Sequence, residues 1–261
     1  MQQATILIPD ISGYTHFLTK TELSHSTHII NELLQVIADS IQPKFTLAEI
    51  EGDALLTYSP RRIPQSEIEQ LVTETYKNFH HFLRVIERDS VCQCGACNMV
   101  GQLTLKFVVH YGSFEEVRIV QFTKLSGPDM IIAHRLMKNS VDSDEYLLLA
   151  DQFLNGAPAT SLQYASGLDE YEILGDISYK YADLSYLKKE VARPESQEDF
   201  AQLFGIAREL MIDIKAPLKA VHAVLTDNTE KKNYVPGLVN VDMDSSINRV
   251  GSNHVCEFDG D

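Results

Sequence analysis

Apolar residues along this chain change their spacing several times, and that alternation limits the folds open to it. The opening ATILIPD is a short apolar run closed by Pro9 and Asp10, the pattern of a buried strand that stops at its carboxyl end. Residues 24–41 carry Ile29, Ile30, Leu33, Leu34, Ile37 and Ile41 at helical spacing, behind Ser24 or Ser26 as a cap. Residues 45–50 and 54–58 read as two short strands around the hairpin turn Glu51-Gly52-Asp53. Residues 65–88 return to helical spacing through Ile68, Leu71, Tyr76, Phe79, Leu83 and Ile86. Strands are expected at 103–111 and 117–122 on either side of a turn at Gly112-Ser113, then a helix at 129–139 and a buried strand at 145–150. Residues 171–187 read as a final strand or hairpin. Strands alternating with helices, some joined by hairpins, predict an α+β fold with helices packed on one sheet.

Composition excludes several classes of function. The 261 residues hold 22 Lys+Arg against 37 Asp+Glu, a net charge of −15. Such a chain repels phosphate backbones and anionic lipid, so no nucleic-acid partner and no membrane surface is expected. Bound divalent cations would relieve part of the charge. Four cysteines are too few for a secreted disulfide scaffold. No apolar run approaches the ~20 residues needed to span a bilayer, and Met1–Ala4 lacks a basic lead into a signal core, so the expected setting is cytoplasmic. Neither a Gly-x-x-x-x-Gly-Lys loop nor a Gly-x-Ser-x-Gly elbow is present, which argues against P-loop NTPases and α/β-hydrolases.

Three regions are expected. Residues 1–187 form the main domain, interrupted at 90–101 by a cysteine-rich insert that fits neither strand nor helix period. The charged stretch 188–203, with Pro194, reads as a linker. Residues 204–261 begin a second unit: a strand-like LMIDI, Pro217, a helix over 218–225 and an apolar run at 238–241.

Asp10 falls at a strand end and Asp53 in a hairpin turn, positions from which two carboxylates can converge on one point. Hard oxygens of this kind, with a backbone carbonyl and substrate phosphates, suit Mg²⁺ or Mn²⁺. Ser12, Gly13 and Tyr14 open a helix directly after Asp10, where backbone N–H groups can receive phosphate oxygens. The plainer alternative makes Asp10 a helix cap and Asp53 an ordinary turn residue.

Taken together, PDISGYTHFL and, some forty residues later, EIEGDALLTY resemble the catalytic domain of the class III nucleotidyl cyclases, the adenylate and guanylate cyclase family. LKFVVHYGSF resembles the family's strand ending in an aliphatic-His-x-Gly segment. SGPDMIIAHRLMKNS resembles its Gly-x-x-Val-Asn-x-Ala-x-Arg helix. The likeness spans residues 4–187. It implies a ferredoxin-like sheet, a purine nucleoside triphosphate substrate, Mg or Mn as cofactor, and a homodimer with sites between two head-to-tail domains. On it, Asp10 and Asp53 are metal ligands and Ile11 offers its backbone carbonyl. Arg135 stabilises charge during attack of the ribose 3′-oxygen on the α-phosphate. Glu49 and Lys124 fall at the base-reading positions, and a glutamate at 49 suits the N1–H and N2–H of guanine. In the homodimer, Asp10, Asp53 and Glu49 would face Arg135 of the other chain.

This chain also departs from the pattern. The ribose-orienting asparagine is replaced by Ile131, and the lysine for terminal phosphates by Leu174. Loss of such an orienting amide costs on the order of 10²–10³ in rate. These departures move the expectation from an active cyclase towards a nucleotide-binding module with weakened or lost cyclase activity; a purely structural dimerisation or sensor domain is the third reading. The GPDMIIAHRLMKN segment and the cysteine insert are also similar to a set of bacterial cyclase-like proteins with no established activity.

Cys92, Cys94 and Cys97 form C-x-C-x-x-C. Three thiols this close can hold Zn²⁺ with a fourth ligand from His80, His81, His110, Cys256 or a partner chain; a redox pair and three reduced thiols remain alternatives. The pairs His25/His28 and His80/His81 read as solvated or hydrogen-bonded within the fold. The tail IDIKAPLKAVHAVLTDNTEKKNYVPGLVNVDM resembles the opening of a START-like (Bet v 1-like) helix-grip domain, of which only the first third would be present.

Overall fold

The fold is described from a computed structural model, which places residues 2–21, 23–42, 44–89, 95–154, 162–194, 213–227, 230–243 and 254–259. In chain order the elements are β1 (Gln2–Ser12), α1 (Tyr14–Lys20), α2 (Leu23–Ile41), β2 (Thr46–Glu51), β3 (Ala54–Ser59) and α3 (Gln65–Asp89). Next come α4 (Gly95–Met99), β4 (Thr104–Ile119), β5 (Phe122–Ser126), α5 (Pro128–Leu136) and β6 (Tyr146–Ala150). The hairpin β7 (Ala165–Tyr171) and β8 (Gly175–Asp183) leads into a 3₁₀ turn at Ser185–Glu190. Further on lie α6 (Leu218–Thr226), α7 (Lys231–Tyr234), β9 (Leu238–Met243) and β10 (His254–Phe258).

Eight strands make one sheet in the order β2-β3-β1-β4-β6-β8-β7, with β5 folding back on β4. Among the described residues only the β4–β6 pairing is parallel; α5 lies in the connection between them. Because side chains alternate across a strand, the sheet feeds two cores. Leu7, Ile11, Leu55, Phe107, Val109 and Leu149 meet the apolar stripes of α2 and α3. Ile6, Ile8, Leu56, Val108 and Leu148 face the other way, against Met130, Ala133 and Leu136 of α5. This is the α+β arrangement that the alternating periods predict.

Three expectations are corrected. Gly112-Ser113 is not a turn. β4 runs straight through it, pairing Gly112 with Ala4 and Ser113 with Gln3, and the chain reverses at Val120-Gln121. The glycine serves a close approach instead: a Cβ at 112 would overlap the Asp129 side chain. Asp129 Oδ2 accepts hydrogen bonds from Ser113 N–H at 2.7 Å and Ser113 Oγ at 3.0 Å, and His110 Nε2 lies 2.8 Å from Oδ1. Burial alone would raise the Asp129 pKa, but these donors outweigh it and hold the carboxyl below its usual range.

The second correction concerns the insert. Its residues 95–102, where neither strand nor helix period is evident, form α4 and a 3₁₀ turn, with Ala96, Cys97 and Val100 buried in the core against the helices. Cys92 and Cys94 lie outside the described residues. Third, the last hairpin begins at Ala165, six residues before the expected start, because β7 alternates exposed and half-buried positions without an apolar run to mark it. The predicted strand at 210–214 also falls largely outside the described residues.

The segment that follows β8 is held to α3. Arg84 donates to the carbonyls of Lys188 and Val191 at 2.8 and 2.6 Å, and Lys77 pairs with Glu190 at 2.6 Å. Beneath them His80 is buried against Tyr76 and Phe79, its Nε2 without a hydrogen bond. Glu145 Oε1 stands 3.5 Å away but is already engaged by Tyr76 OH and Lys188 Nζ, both at 2.6 Å. Burial, then the charges of Lys188 and Arg84, push the His80 pKa down to about 3. The folded-state value lies below the unfolded one, so this histidine's contribution is intact above pH 6.5 and is lost as pH falls towards 3. Stability should drop by up to about 1.4 kcal/mol per pH unit in that window. Thermal unfolding between pH 7.5 and 5 checks this: His80→Phe should flatten the slope, and an unchanged slope would assign the acid sensitivity elsewhere.

Candidate functional site

β1 carries Asp10 to its carboxyl end, and the β2–β3 turn brings Asp53 beside it. Asp10 pairs with Ala54 in the β1–β3 ladder, and Ile11 N–H donates to the Asp53 carbonyl at 3.0 Å, which ties the turn to the strand end. Asp10, Ile11, Ser12, Gly13, Tyr14 and Asp53 all line one open cleft of about 210 Å³. Gly13 adopts φ 88°, a left-handed conformation that lets the chain leave β1 and enter α1 at once. The convergence expected of the two aspartates is therefore present in the fold.

The electrostatics suit a cation. Burial raises the Asp10 pKa, and Lys106 opposes that rise. Burial and then the Asp10 charge lift Asp53 to about 6. Ser12 Oγ is buried in the same cleft without a hydrogen-bond partner. Hard carboxylate oxygens beside an orphaned hydroxyl fit Mg²⁺ or Mn²⁺ with its bound water or phosphate oxygens. Among the described residues no three His, Cys, Asp or Glu side chains gather to hold a metal unaided. A cation here would draw its remaining ligands from the backbone, water and substrate.

Four cleft residues went unrecognised in the sequence: Thr15, His16, Lys106 and Asp144. Lys106 matters most. Its Nζ lies 3.1 Å from Asp10 Oδ2, and the register places it directly across from Asp10 on β4. Burial works against the ammonium, but Asp10 outweighs it and raises the Lys106 pKa. A lone lysine inside the apolar run LKFVV was the available signal; its partner could be read only from strand register.

Glu49 and Lys124 lie outside the cleft lining and pair with each other at 3.6 Å, across β2 and β5. Beside them Glu51 Oε2 contacts His134 Nδ1 of α5 at 3.1 Å. Arg135, in the last turn of α5, is exposed and does not line the cleft. Ile131 is 52 % exposed on the same helix, whereas Leu174 packs against the chain's own core. Of the proposed fourth zinc ligands, His110 is committed to Asp129, His81 Nδ1 to the Ala192 carbonyl at 3.1 Å, and His80 to its buried niche.

With this geometry in place, comparison with known proteins identifies the fold. The chain resembles a bacterial light-regulated adenylyl cyclase (TM-score 0.52, 13% identity), over 73% of this chain and 55% of that one. It resembles the guanylyl cyclase Cya2 similarly (TM-score 0.51, 14% identity), over 70% of this chain and 91% of the other. The chain thus spans about half the length of the light-regulated enzyme. Its fold is that of the adenylyl and guanylyl cyclase catalytic domains. Residues 30–146 match a family described as "Protein of unknown function (DUF2652)". The uncharacterized protein Rv2561/Rv2562 of Mycobacterium tuberculosis (strain ATCC 25618 / H37Rv) is 28% identical over 155 residues, 59% of this chain and 73% of that protein. No helix among the described residues is long and apolar enough to cross a membrane.

Proposed function

We propose that this chain is a divergent cyclase-like domain that binds a purine nucleoside triphosphate together with a divalent cation, and that its cyclising activity is weakened or lost. The observation that carries this reading is the cleft that Asp10, Asp53 and Ser12 line together, with Ser12 Oγ buried and without a hydrogen-bond partner. Bound there, Mg²⁺ or Mn²⁺ would neutralise phosphate charge and lower the pKa of a ribose hydroxyl. Asp10, Asp53 and the Ile11 carbonyl would hold the cation, while Ser12 and the backbone of Gly13 and Tyr14 would orient phosphate oxygens.

Glu49 and Lys124 support guanine over adenine. An acceptor beside a donor matches the N1–H and N2–H donors and the O6 acceptor of guanine, whereas adenine offers Glu49 fewer protons. The weakening follows from Ile131, which presents only carbon where an amide would orient the ribose, and from Leu174, which is turned into the core. Arg135 lies away from its own chain's cleft, which supports a homodimer in which α5 of one protomer completes the site of the other. Residues 213–227 and 230–243, with a helix begun after Pro217 and later a strand, are consistent with the opening of a START-like unit.

Incubation with GTP or ATP and Mn²⁺, with products read by mass spectrometry and binding by equilibrium dialysis, tests the reading. Binding with little or no cyclic product, and loss of that binding in Asp53→Ala, is the expected result. Fast cyclic product that depends on Asp10 and Asp53 would favour an active cyclase. No nucleotide binding would leave the structural or sensor role. Sedimentation with and without Mn²⁺ and GTP should show a dimer favoured by both ligands, since bound cation offsets the self-repulsion of a −15 chain. A monomer under every condition would remove the shared-site geometry.

A further inference from the structure

We propose that residues 185–192 form an acid-released strap: at neutral pH they lie bound along α3 over the buried His80, and protonation of that histidine releases them while the sheet stays folded. Neither nucleotide nor metal takes part in it.

One side of α3 makes the seat. Lys77, His80, His81 and Arg84 fall three or four residues apart, so their side chains leave the helix together. Arg84 donates to the carbonyls of Lys188 and Val191, His81 Nδ1 lies 3.1 Å from the Ala192 carbonyl oxygen, and Lys77 pairs with Glu190. Lys188 fastens the strap a second way, its Nζ 2.6 Å from Glu145 Oε1 just ahead of β6. Leu187 and Val191 are buried by this docking, and Leu187 N–H donates to the Leu184 carbonyl at 2.9 Å.

His80 lies under these contacts with Nε2 buried and without a hydrogen bond. Glu145 Oε1, at 3.5 Å, already accepts from Tyr76 OH and Lys188, so a proton on Nε2 would compete for that oxygen. The other charged groups around it are Lys77 and Arg84 on α3 and Glu190 on the strap, while Asp183 at the end of β8 acts on Tyr76. α2 meets α3 through apolar residues such as Leu33 and Ile37, and Asn78 Nδ2 donates to Ser40 Oγ at 3.2 Å. Burial opposes the proton first, and then the charges of Lys188 and Arg84 do. Those two charges are the ones that hold the strap, so by reciprocity a proton on His80 repels the strap's own fastenings. Once the strap has left, the histidine regains water and rises from about 3 towards its ordinary 6.5. Opening therefore takes up a proton, and is favoured as pH falls below 6.5. The freed residues span roughly 25 Å when extended, which is added reach for the chain beyond them.

Hydrogen–deuterium exchange of the full chain between pH 7 and 5.5, corrected for intrinsic exchange rates, tests the strap. Protection of the peptide that carries the Leu187 amide should fall roughly tenfold across that range, while peptides from β1 and β4 keep theirs. His80→Gln, which cannot take the charge, should leave strap protection flat with pH, and His81→Gln should keep the wild-type fall. His80→Phe gives the same comparison should the glutamine variant not fold by circular dichroism. Strap protection that is independent of pH in the wild type would overturn the proposal. So would a fall that survives replacement of His80, or one that His81→Gln abolishes. Loss of protection in β1 and β4 in step with the strap would also overturn it, since the whole domain would then be unfolding.

Discussion

Ile131→Asn is expected to raise the rate of cyclic nucleotide formation by on the order of 10²-fold over a low or undetectable starting rate. The position is half exposed on α5, so the substitution should cost the fold little, and any gain reflects the site. On the proposed reading, the amide would supply a donor and an acceptor fixed on a helix, aimed at a ribose hydroxyl as the 3′-oxygen attacks. An isoleucine offers neither. Product formation with Mn²⁺ and GTP, measured for Ile131→Asn alone and combined with Asp53→Ala, is the check. The gain must vanish in the double variant. If Ile131→Asn stays silent while nucleotide binding is intact, the block lies elsewhere, and Leu174 is the next position to restore.

The largest effect on stability is expected at Gly112. Gly112→Ala forces a methyl group into space filled by the Asp129 carboxylate, which cannot swing away without leaving Ser113 and His110. Overpacking of this kind costs about 1–3 kcal/mol, and an uncompensated carboxylate adds to it, so a total of about 3 kcal/mol or more is expected. Urea unfolding should show a lower midpoint at unchanged slope. Gly112→Ala combined with Asp129→Ala should recover part of the loss, because the second change removes the colliding group. A cost below about 1 kcal/mol for Gly112→Ala alone would mean that Asp129 is not held as described.

Much of the fold was legible because it depends on local spacing. The stripe Ile29, Leu33, Ile37 on α2 and the run Tyr146–Ala150 declare their periods without reference to anything distant. Asp10 and Asp53 were legible for a related reason: each stands where a short apolar segment ends, and both ends belong to neighbouring strands. Register was not legible. Lys106 becomes a cleft residue only because β4 lies antiparallel to β1 with position 106 opposite position 10, a fact no local window contains. Gly112-Ser113 misled for the mirror reason. The dipeptide has turn chemistry, but its glycine answers to a side chain on α5, seventeen residues later. Residues 95–102 were hidden because a single helical turn is too short to show a period, although Ala96, Cys97 and Val100 reach the core.

The position of β1 inside the sheet, between β3 and β4, also sets when this chain can begin to hold together. Its eleven residues are made well before the strand that starts at Thr104, with which it forms the longer of its two pairings, from Gln2 to Ser12. Closing that span orders about a hundred residues before the contact gives anything back, so folding should be slow for a domain of this size. On a ribosome adding roughly 5–20 residues per second, an apolar strand with one open edge must wait several seconds for its partner. The β2–β3 hairpin can cover the other edge early, and α2 and α3 can shelter one face. Until β4 emerges, the edge destined for it remains a site for wrong pairing, and a chain cut before Ile119 should be lost to aggregation rather than persist as a smaller folded unit.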